Sequence, residues 1–247
     1  MFNFFASENQ RQGDFYYITG SDYNHIINVL RMKKGDTFLV SENGKGNLCE
    51  LYDYDTETVT AKVLEEGYKN TDLPSEIYLF QGLPKGDKME YIIQKCVELG
   101  VFSVVPVEMK HCIVKLDAKK AKSKRERWQS ISESAAKQSK RNIIPEIMEV
   151  SSFNDAIEFA KTLDLIMVPY ENKEGMAATA EALSSLQNVK SVGIFIGPEG
   201  GFEKAEIEKT LAANAKVISL GKRILRTETA AITAVGMCML NIEMQGN

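Results

Sequence analysis

The spacing of hydrophobic and polar positions changes near residue 70 of this 247-residue chain. Before that point, aromatic and β-branched residues gather in short runs bounded by turn signals such as Asn43-Gly44, a pattern that predicts β-strands. The predicted strands cover residues 14–19, 37–42, 46–53 and 58–64. One helix is predicted between the first two strands, because Ile26, Ile27 and Leu30 recur at helical spacing. We therefore expect a small β-rich domain over residues 1–70.

From residue 73 onward, apolar runs alternate with stretches of helical periodicity. The predicted strands cover residues 77–81, 101–107, 146–150, 165–169, 192–196 and 216–220. The predicted helices cover residues 88–99, 119–140, 153–162, 175–186 and 227–244. The strand over 101–107 is almost entirely apolar, as in a sheet that is covered on both faces. Such alternation predicts an α/β domain with a parallel sheet over residues 73–247, after a polar boundary that ends near a proline.

The composition of the chain argues against a membrane protein, a secreted protein and a metal-binding protein. No apolar run reaches the ~18–20 residues of a membrane span, and the first residues lack the basic-then-apolar order of a secretory signal. The four cysteines are scattered and only two histidines could join them, so we expect no metal site. The cysteines are Cys49, Cys96, Cys112 and Cys238. These features predict a cytoplasmic protein with no membrane partner.

Charge is distributed unevenly along the chain. The whole protein carries a formal net charge of −4, which argues against a general nucleic-acid binder. Residues 109–142, in contrast, contain eleven Lys or Arg and only three Asp or Glu. Such a run is either a solvated helix face or a surface that contacts phosphates. The sequence pattern leaves both interpretations open.

Two glycine-containing loops follow the last two predicted strands. The first reads Gly197-Pro198-Glu199-Gly200-Gly201, and the second covers residues 221–226. Glycine permits a ligand to approach the backbone closely, and in α/β sheets ligands bind beyond the carboxyl ends of the strands. Neither loop matches a dinucleotide fingerprint or a P-loop. Two such loops in series, each with charged side chains, predict a ligand site rather than simple turns.

The two glycine loops carry a specific family resemblance. IGPEGGF at 196–202 and LGKRILRTETA at 220–230 closely resemble the paired motifs of the RsmE family, which are ribosomal RNA small-subunit methyltransferases of the SPOUT class. Three further stretches also match that family: NVLRMKKGD at 28–36, QKCVELGV at 94–101 and SAAKQSKR at 134–141. The resemblance therefore covers nearly the whole chain.

The resemblance implies a fold and an activity. The implied fold class is α/β, with a C-terminal trefoil-knotted SPOUT methyltransferase domain built on a parallel sheet and a small β-rich PUA-like barrel domain before it. The implied cofactor is S-adenosyl-L-methionine, and the implied reaction is methyl transfer to N3 of a uridine in 16S ribosomal RNA. The alternatives are a SPOUT enzyme that methylates a ribose 2′-oxygen or a guanine, and a non-catalytic RNA-binding ribosome-assembly factor.

The resemblance also implies a cofactor pocket made by three loops, namely the two glycine loops and the end of strand 165–169. The implied cofactor contacts are Val168, Pro169, Ile196, Gly197, Pro198, Gly200, Leu220, Gly221, Ile224, Leu225 and Thr227. Arg226 is the candidate cation that stabilises negative charge on the uracil ring. Glu199 is either a base or base-edge acceptor, or a carboxylate that interacts with a helix dipole. Glu228 is assigned a structural or interface role.

Five basic residues are candidate RNA contacts. They are Arg31, Lys33, Lys110, Lys140 and Arg141. Simple surface placement is the alternative for Arg31 and Arg141, because basic side chains are common on solvated faces. The expected partners are 16S ribosomal RNA or the small ribosomal subunit, and a second copy of the chain in a homodimer.

Overall fold

The computed structural model describes residues 1–171 and 175–245, which form two compact units. The first unit contains Met1–Asp72 together with Ala136–Ile144, and the second contains Leu73–Ala135 together with the chain from Pro145 onward. All four cysteines are free and buried. None of the helices in the described ranges has the length and hydropathy that a membrane crossing requires.

The first unit is a six-stranded sheet with a short 3-10 turn (Glu8–Gln10), a helical segment after its third strand, and the last residues of a longer helix. Its strands are β1 (Asn3–Phe5), β2 (Arg11–Gln12), β3 (Phe15–Thr19), β4 (Thr37–Glu42), β5 (Lys45–Tyr54) and β6 (Thr58–Lys69). They lie in the order β1-β4-β5-β6-β3-β2, and every pair of neighbours is antiparallel except β1 with β4. Helix α1 (Gly20–Asn24) continues into one turn of π-helix. The four predicted strands and the helix are confirmed, whereas β1 and β2 are too short to leave a period-two pattern.

The core of the first unit joins the sheet to the helical segment. Tyr16, Phe38 and Leu51 are fully buried on one face of the sheet, and Ile26 from the helical segment packs in the same cluster. The predicted turn at Asn43-Gly44 joins β4 to β5, and both residues have positive φ angles, 49° and 76°. A two-residue hairpin turn of this kind fixes the register of the two strands.

Residues 136–144 complete the first unit from a distant part of the sequence. Asn3 Nδ2 donates a hydrogen bond of 2.8 Å to the carbonyl of Arg141. The guanidinium of Arg141 pairs with the Asp72 carboxylate, and Arg141 as a whole is only 3% exposed. The backbone amide of Asn142 donates to the same carboxylate at 3.1 Å. The segment is therefore attached to the first unit by buried polar contacts.

The second unit is an all-parallel sheet with helices packed on it. Its strands are β7 (Glu76–Gly82), β8 (Ser103–Glu108), β9 (Glu146–Ile147), β10 (Ser151–Ser152), β11 (Leu165–Pro169), β12 (Ser191–Ile196) and β13 (Lys216–Ile218). Its helices are α2 (Lys88–Glu98), α3 (Ala118–Ser139), α4 (Phe153–Ala160), α5 (Ala177–Ser184), α6 (Lys204–Ala212) and α7 (Thr227–Gln245), of which the last four residues of α3 belong to the first unit. The predicted parallel sheet is confirmed. Of the strand predicted over 146–150, only β9 at residues 146–147 forms, and β10 follows it at 151–152. Helix α6 lies where the sequence pattern predicted no helix.

The order of the strands positions the predicted site. The sheet runs β10-β8-β7-β12-β11-β13, with β9 beside β8. Met167 of β11 is paired with Ile194 of β12 on one side and with Lys216 of β13 on the other. Because these three strands are parallel neighbours, their carboxyl ends meet at one edge of the sheet and the loops after them leave it side by side. The trefoil knot stays a prediction.

Candidate functional site

Three loops at the carboxyl ends of β11, β12 and β13 enclose a cavity of about 430 Å³. We call them the first loop (residues 169–171), the second loop (197–203) and the third loop (219–226). The predicted site residues that line the cavity are Pro169, Ile196, Gly197, Pro198, Glu199, Leu220, Gly221, Ile224, Leu225, Arg226 and Thr227. A cavity of this size is within the usual range for small-molecule sites. The structure thus brings most of the predicted residues together.

The second loop folds back tightly on itself, which explains two of its glycines. The amide of Gly201 donates to the carbonyl of Pro198 at 2.9 Å, and Gly201 has a φ angle of 68°. A Cβ on Gly197 would lie only 3.2 Å from the carbonyl carbon of Gly201. A side chain on Gly197 would force the loop apart, and one on Gly201 would strain the backbone, because its positive φ angle favours glycine.

Two predicted cofactor contacts do not line the cavity. Val168 is fully buried within β11. Gly200 faces His111, and a Cβ on Gly200 would lie 2.8 Å from the His111 Cβ. Nδ1 of His111 lies 3.0 Å from the Gly200 carbonyl oxygen and 3.3 Å from that of Gly201. Since both oxygens only accept hydrogen bonds, Nδ1 carries the proton in this arrangement, and His111 supports the second loop from behind.

Strand β7 also supports the second loop. A Cβ on Gly82, the last residue of β7, would lie 2.7 Å from Pro198 Cδ, 2.8 Å from Pro198 N and 2.9 Å from Met109 Sδ. Two of these three atoms belong to a proline ring, which cannot rotate away. The absence of a side chain at Gly82 therefore fixes how closely the second loop lies against the sheet.

A cluster of charged side chains lies at one side of the cavity. Lys88 Nζ is 2.8 Å from Glu199 Oε1 and 3.7 Å from Glu228 Oε2, so one ammonium group serves two carboxylates. The amide of Lys85 also donates to Glu199 Oε1, at 3.1 Å. Among the described residues, no carboxylate lies within ion-pair distance of the Arg226 guanidinium, which is exposed in the cavity wall. Arg226 is therefore available to a ligand.

The surroundings of Glu199 control its ionisation. Partial burial alone would raise the pKa of this carboxyl, but the Lys88 ammonium and backbone amides together hold the pKa below its ordinary value. The opposite shift occurs in the partner, since the hydrogen bond to Glu199 raises the pKa of Lys88. Glu199 is thus a carboxylate at neutral pH. A carboxylate with a lowered pKa is a weak proton acceptor and a good hydrogen-bond acceptor.

The sequence pattern missed Lys88, which lines the cavity as the first residue of α2. One signal was available, because a lysine at the amino end of a helix opposes the helix dipole and needs a compensating partner. Further lining residues that were not predicted as contacts are Tyr170, Glu171, Gly201, Phe202, Ser219, Arg223 and Ala230.

The candidate RNA contacts divide by exposure. In the first unit, Arg31, Lys33 and Lys140 are exposed, and Arg31 and Lys140 have positive φ angles of 54° and 61°. Arg141 is buried beside Asp72 and offers little surface to a phosphate. In the second unit Lys110 is exposed, and its backbone amide donates to the Glu206 carboxylate at 2.9 Å. Four of the five candidates therefore present a charge to solvent.

Within the described residues, no group of three or more His, Cys, Asp or Glu side chains is arranged to hold a metal ion.

Two family models match the chain. A model described as an RNA methyltransferase domain matches residues 71–239, and one described as an RNA methyltransferase PUA domain matches residues 18–64. The matched segments together span both units.

Curated and solved relatives agree with these matches. The chain is 41% identical over 233 residues to ribosomal RNA small subunit methyltransferase E of Bacillus subtilis (strain 168), covering 93% of this chain and 91% of the relative. It is 32% identical to the protein of the same name from Mesomycoplasma hyopneumoniae (strain 232), covering 97% and 99%. The crystal structure of ribosomal RNA small subunit methyltransferase E from Neisseria gonorrhoeae bound to S-adenosyl methionine is similar with a TM-score of 0.81 and 29% identity, covering 95% of each chain.

Proposed function

The chain belongs to the ribosomal RNA small subunit methyltransferase E family, and from that premise we propose that it uses S-adenosyl-L-methionine to methylate N3 of a uridine in 16S ribosomal RNA. The observation that carries the proposal is the cavity of about 430 Å³ at the carboxyl ends of three parallel strands. The enzyme class and the cofactor follow from the family. The choice of base and of the N3 atom is our proposal.

The residues of the cavity fit the cofactor. Open space lies where a side chain of Gly201 would be, which leaves the backbone there accessible, as an adenine and a methionine chain require. Ile196, Leu220 and Leu225 provide apolar walls. When bound there, S-adenosylmethionine supplies an electrophilic methyl group. The loops hold the cofactor in one orientation, and that positioning is the first contribution of the protein to the rate.

The charged cluster fits the chemistry of the base. A uridine N3 must give up its proton, here to solvent water, to attack a methyl group, and the ring carries negative charge on its carbonyl oxygens until the N–C bond forms. The exposed Arg226 guanidinium stabilises that charge. Glu199, held as a carboxylate by Lys88, accepts the hydrogen bond from N3–H and orients the base. The lowered pKa of Glu199 supports a role as hydrogen-bond acceptor at the edge of the uracil ring, rather than as the general base that takes the N3 proton.

Mass analysis of the RNA product tests the proposal directly. Purified protein, small ribosomal subunits lacking the modification and S-adenosylmethionine should yield a uridine that carries one extra methyl group on its base. A methyl group on a ribose or a guanine would replace the proposed target with another activity of the same fold class. Cofactor binding without any methylated product would favour a non-catalytic RNA-binding role.

Replacing Lys88 with methionine should change the pH dependence of the reaction. Without the ammonium group, burial raises the pKa of Glu199, so the carboxylate is protonated at a higher pH. The acid limb of the single-turnover rate should therefore move to higher pH than in the unsubstituted protein. Lys95→Met is the matched control, because Lys95 lies on the same helix and pairs with Glu98 at 2.8 Å. An acid limb that does not move would remove Lys88 and Glu199 from the mechanism.

We propose that Arg31, Lys33, Lys110 and Lys140 contact the phosphates of the RNA, because each is exposed and basic. Arg31→Glu should weaken RNA binding several-fold and reduce the salt dependence of log K by about 1, as expected for one lost phosphate contact. Lys161→Glu is the control, since Lys161 is an exposed residue of the second unit that pairs with Glu158. Equal losses for both variants would indicate a non-specific effect of charge.

We also propose a homodimer that works in the cytoplasm. Leu240 and Met244 lie one turn apart on α7 and are 54% and 69% exposed, which supports contact with a second copy of the chain. Four unpaired cysteines are consistent with a reducing compartment. Sedimentation equilibrium and cell fractionation test the two statements, and a monomer mass at working concentration would contradict the first.

A further inference from the structure

Gln81 is a polar side chain enclosed in the centre of the second sheet. It lies near the carboxyl end of β7, between β8 and β12, and is 0% exposed. Its sequence neighbour Phe80 and its cross-strand partner Ile196 are buried apolar residues. Oε1 of Gln81 has no hydrogen-bond partner among the described residues. A buried acceptor without a partner costs stability, so an apolar side chain would serve the core better.

The amide nitrogen of Gln81 belongs to a chain of hydrogen bonds that reaches the cavity. Nε2 donates to the Gly82 carbonyl at 2.9 Å and to Thr227 Oγ1 at 3.0 Å. Thr227 Oγ1 in turn donates its only proton to the Gly197 carbonyl at 2.7 Å. Because that proton is used, Thr227 can only accept from Gln81, which fixes the orientation of the amide. Gln81 is thereby connected to the start of α7 and to the start of the second loop.

We propose that Gln81 is a positioning residue for the cofactor. It holds the Thr227 hydroxyl in the one rotamer that reaches Gly197, and so fixes the peptide that opens the second loop against the first turn of α7. Both Gly197 and Thr227 line the cavity, whereas Gln81 does not. The unpaired Oε1 is the stability cost of keeping an amide donor at this position. The inference rests on the proposed function, because the cavity must bind S-adenosylmethionine for the positioning to matter.

The Gln81→Met variant tests the inference by separating binding from stability. Methionine fills the same space but cannot donate to Thr227. We expect the calorimetric Kd for S-adenosylmethionine to rise about ten-fold, the size of one typical hydrogen bond. The Tm of the cofactor-free protein should change little, because removal of the unpaired acceptor offsets the loss of the donor to the Gly82 carbonyl. Gln94→Met on the exposed face of α2 is the matched control and should change neither quantity.

A double-mutant cycle tests whether Gln81 acts through Thr227. The Thr227→Val variant removes the hydroxyl, and adding Gln81→Met to it should cost no further affinity. The inference would be overturned if the two substitutions lowered the affinity for S-adenosylmethionine additively, or if Gln81→Met left the Kd unchanged. It would also be overturned if a fall in Tm accounted for the lost affinity. If the unsubstituted protein itself fails to bind S-adenosylmethionine, the proposed function fails instead, so the two failures are distinguishable.

Discussion

Replacing Arg226 with alanine is expected to lower the single-turnover rate of methyl transfer by about 10²–10³-fold, the usual effect of removing one charge-stabilising donor. The reason is the arrangement around the cavity. Arg226 lies in the cavity wall, and among the described residues no carboxylate neutralises it. Its charge is therefore available when the uracil ring becomes negative. Since the ring gains this charge only during the reaction, affinity for S-adenosylmethionine should change by no more than about two-fold.

Lys222→Ala is the matched control for this prediction. Lys222 is an exposed cation four residues earlier and is not part of the cavity wall. The comparison requires a rapid-quench measurement at saturating cofactor and RNA, so that binding does not enter the rate. If Lys222→Ala and Arg226→Ala slow the reaction equally, the effect is one of net charge, and Arg226 has no specific role.

Replacing Gly82 with alanine is expected to weaken cofactor binding roughly 10–100-fold, the equivalent of the usual overpacking cost of about 1–3 kcal/mol. The new Cβ would lie within 2.9 Å of three atoms, two of them in Pro198. The sheet cannot move, because β7 is paired on both sides. The second loop must therefore shift, and the cavity changes shape.

The control for this variant is Gly236→Ala in α7. A Cβ on Gly236 would meet only the end of Leu99, at 3.7 Å, which is ordinary contact. Alanine is also the better helix former, so this variant should bind the cofactor normally and be slightly more stable. Calorimetric titration of both variants with S-adenosylmethionine measures the two affinities. Normal binding by Gly82→Ala would show that the close contact with Pro198 does not set the shape of the cavity.

The sequence predicted the loops of the site because their signals are local. Gly197, Pro198, Gly201 and Gly221 impose backbone shapes that can be read without knowledge of the rest of the chain. The parallel sheet was equally predictable, since alternating apolar runs and helical periods have few other arrangements. The list of expected cavity residues came instead from the resemblance to the RsmE family, and most of those residues line the cavity.

Residues whose roles depend on distant partners could not be predicted in this way. Lys88 meets Glu199 across 111 positions, and Gln81 meets Thr227 across 146. Arg141 lies in a basic run that indicates an exposed surface, yet Asp72, 69 positions earlier, holds it in the interior. Gly200 lies in the predicted loop after β12, but it faces His111 rather than the cavity, and the missing side chain makes room for His111. Such pairings follow from the tertiary fold alone.

The return of residues 136–144 to the first unit has a consequence for synthesis on the ribosome. Domains usually fold from the amino end as they emerge. Here the β-rich unit lacks the buried partner of Asp72 until a further 72 residues, from 73 to 144, have been translated. At ordinary elongation speeds this is a wait of roughly 4–14 s. The nascent first unit therefore stays incomplete while much of the second unit is still being made. Until then, the polar groups that contact residues 136–144 are exposed to solvent.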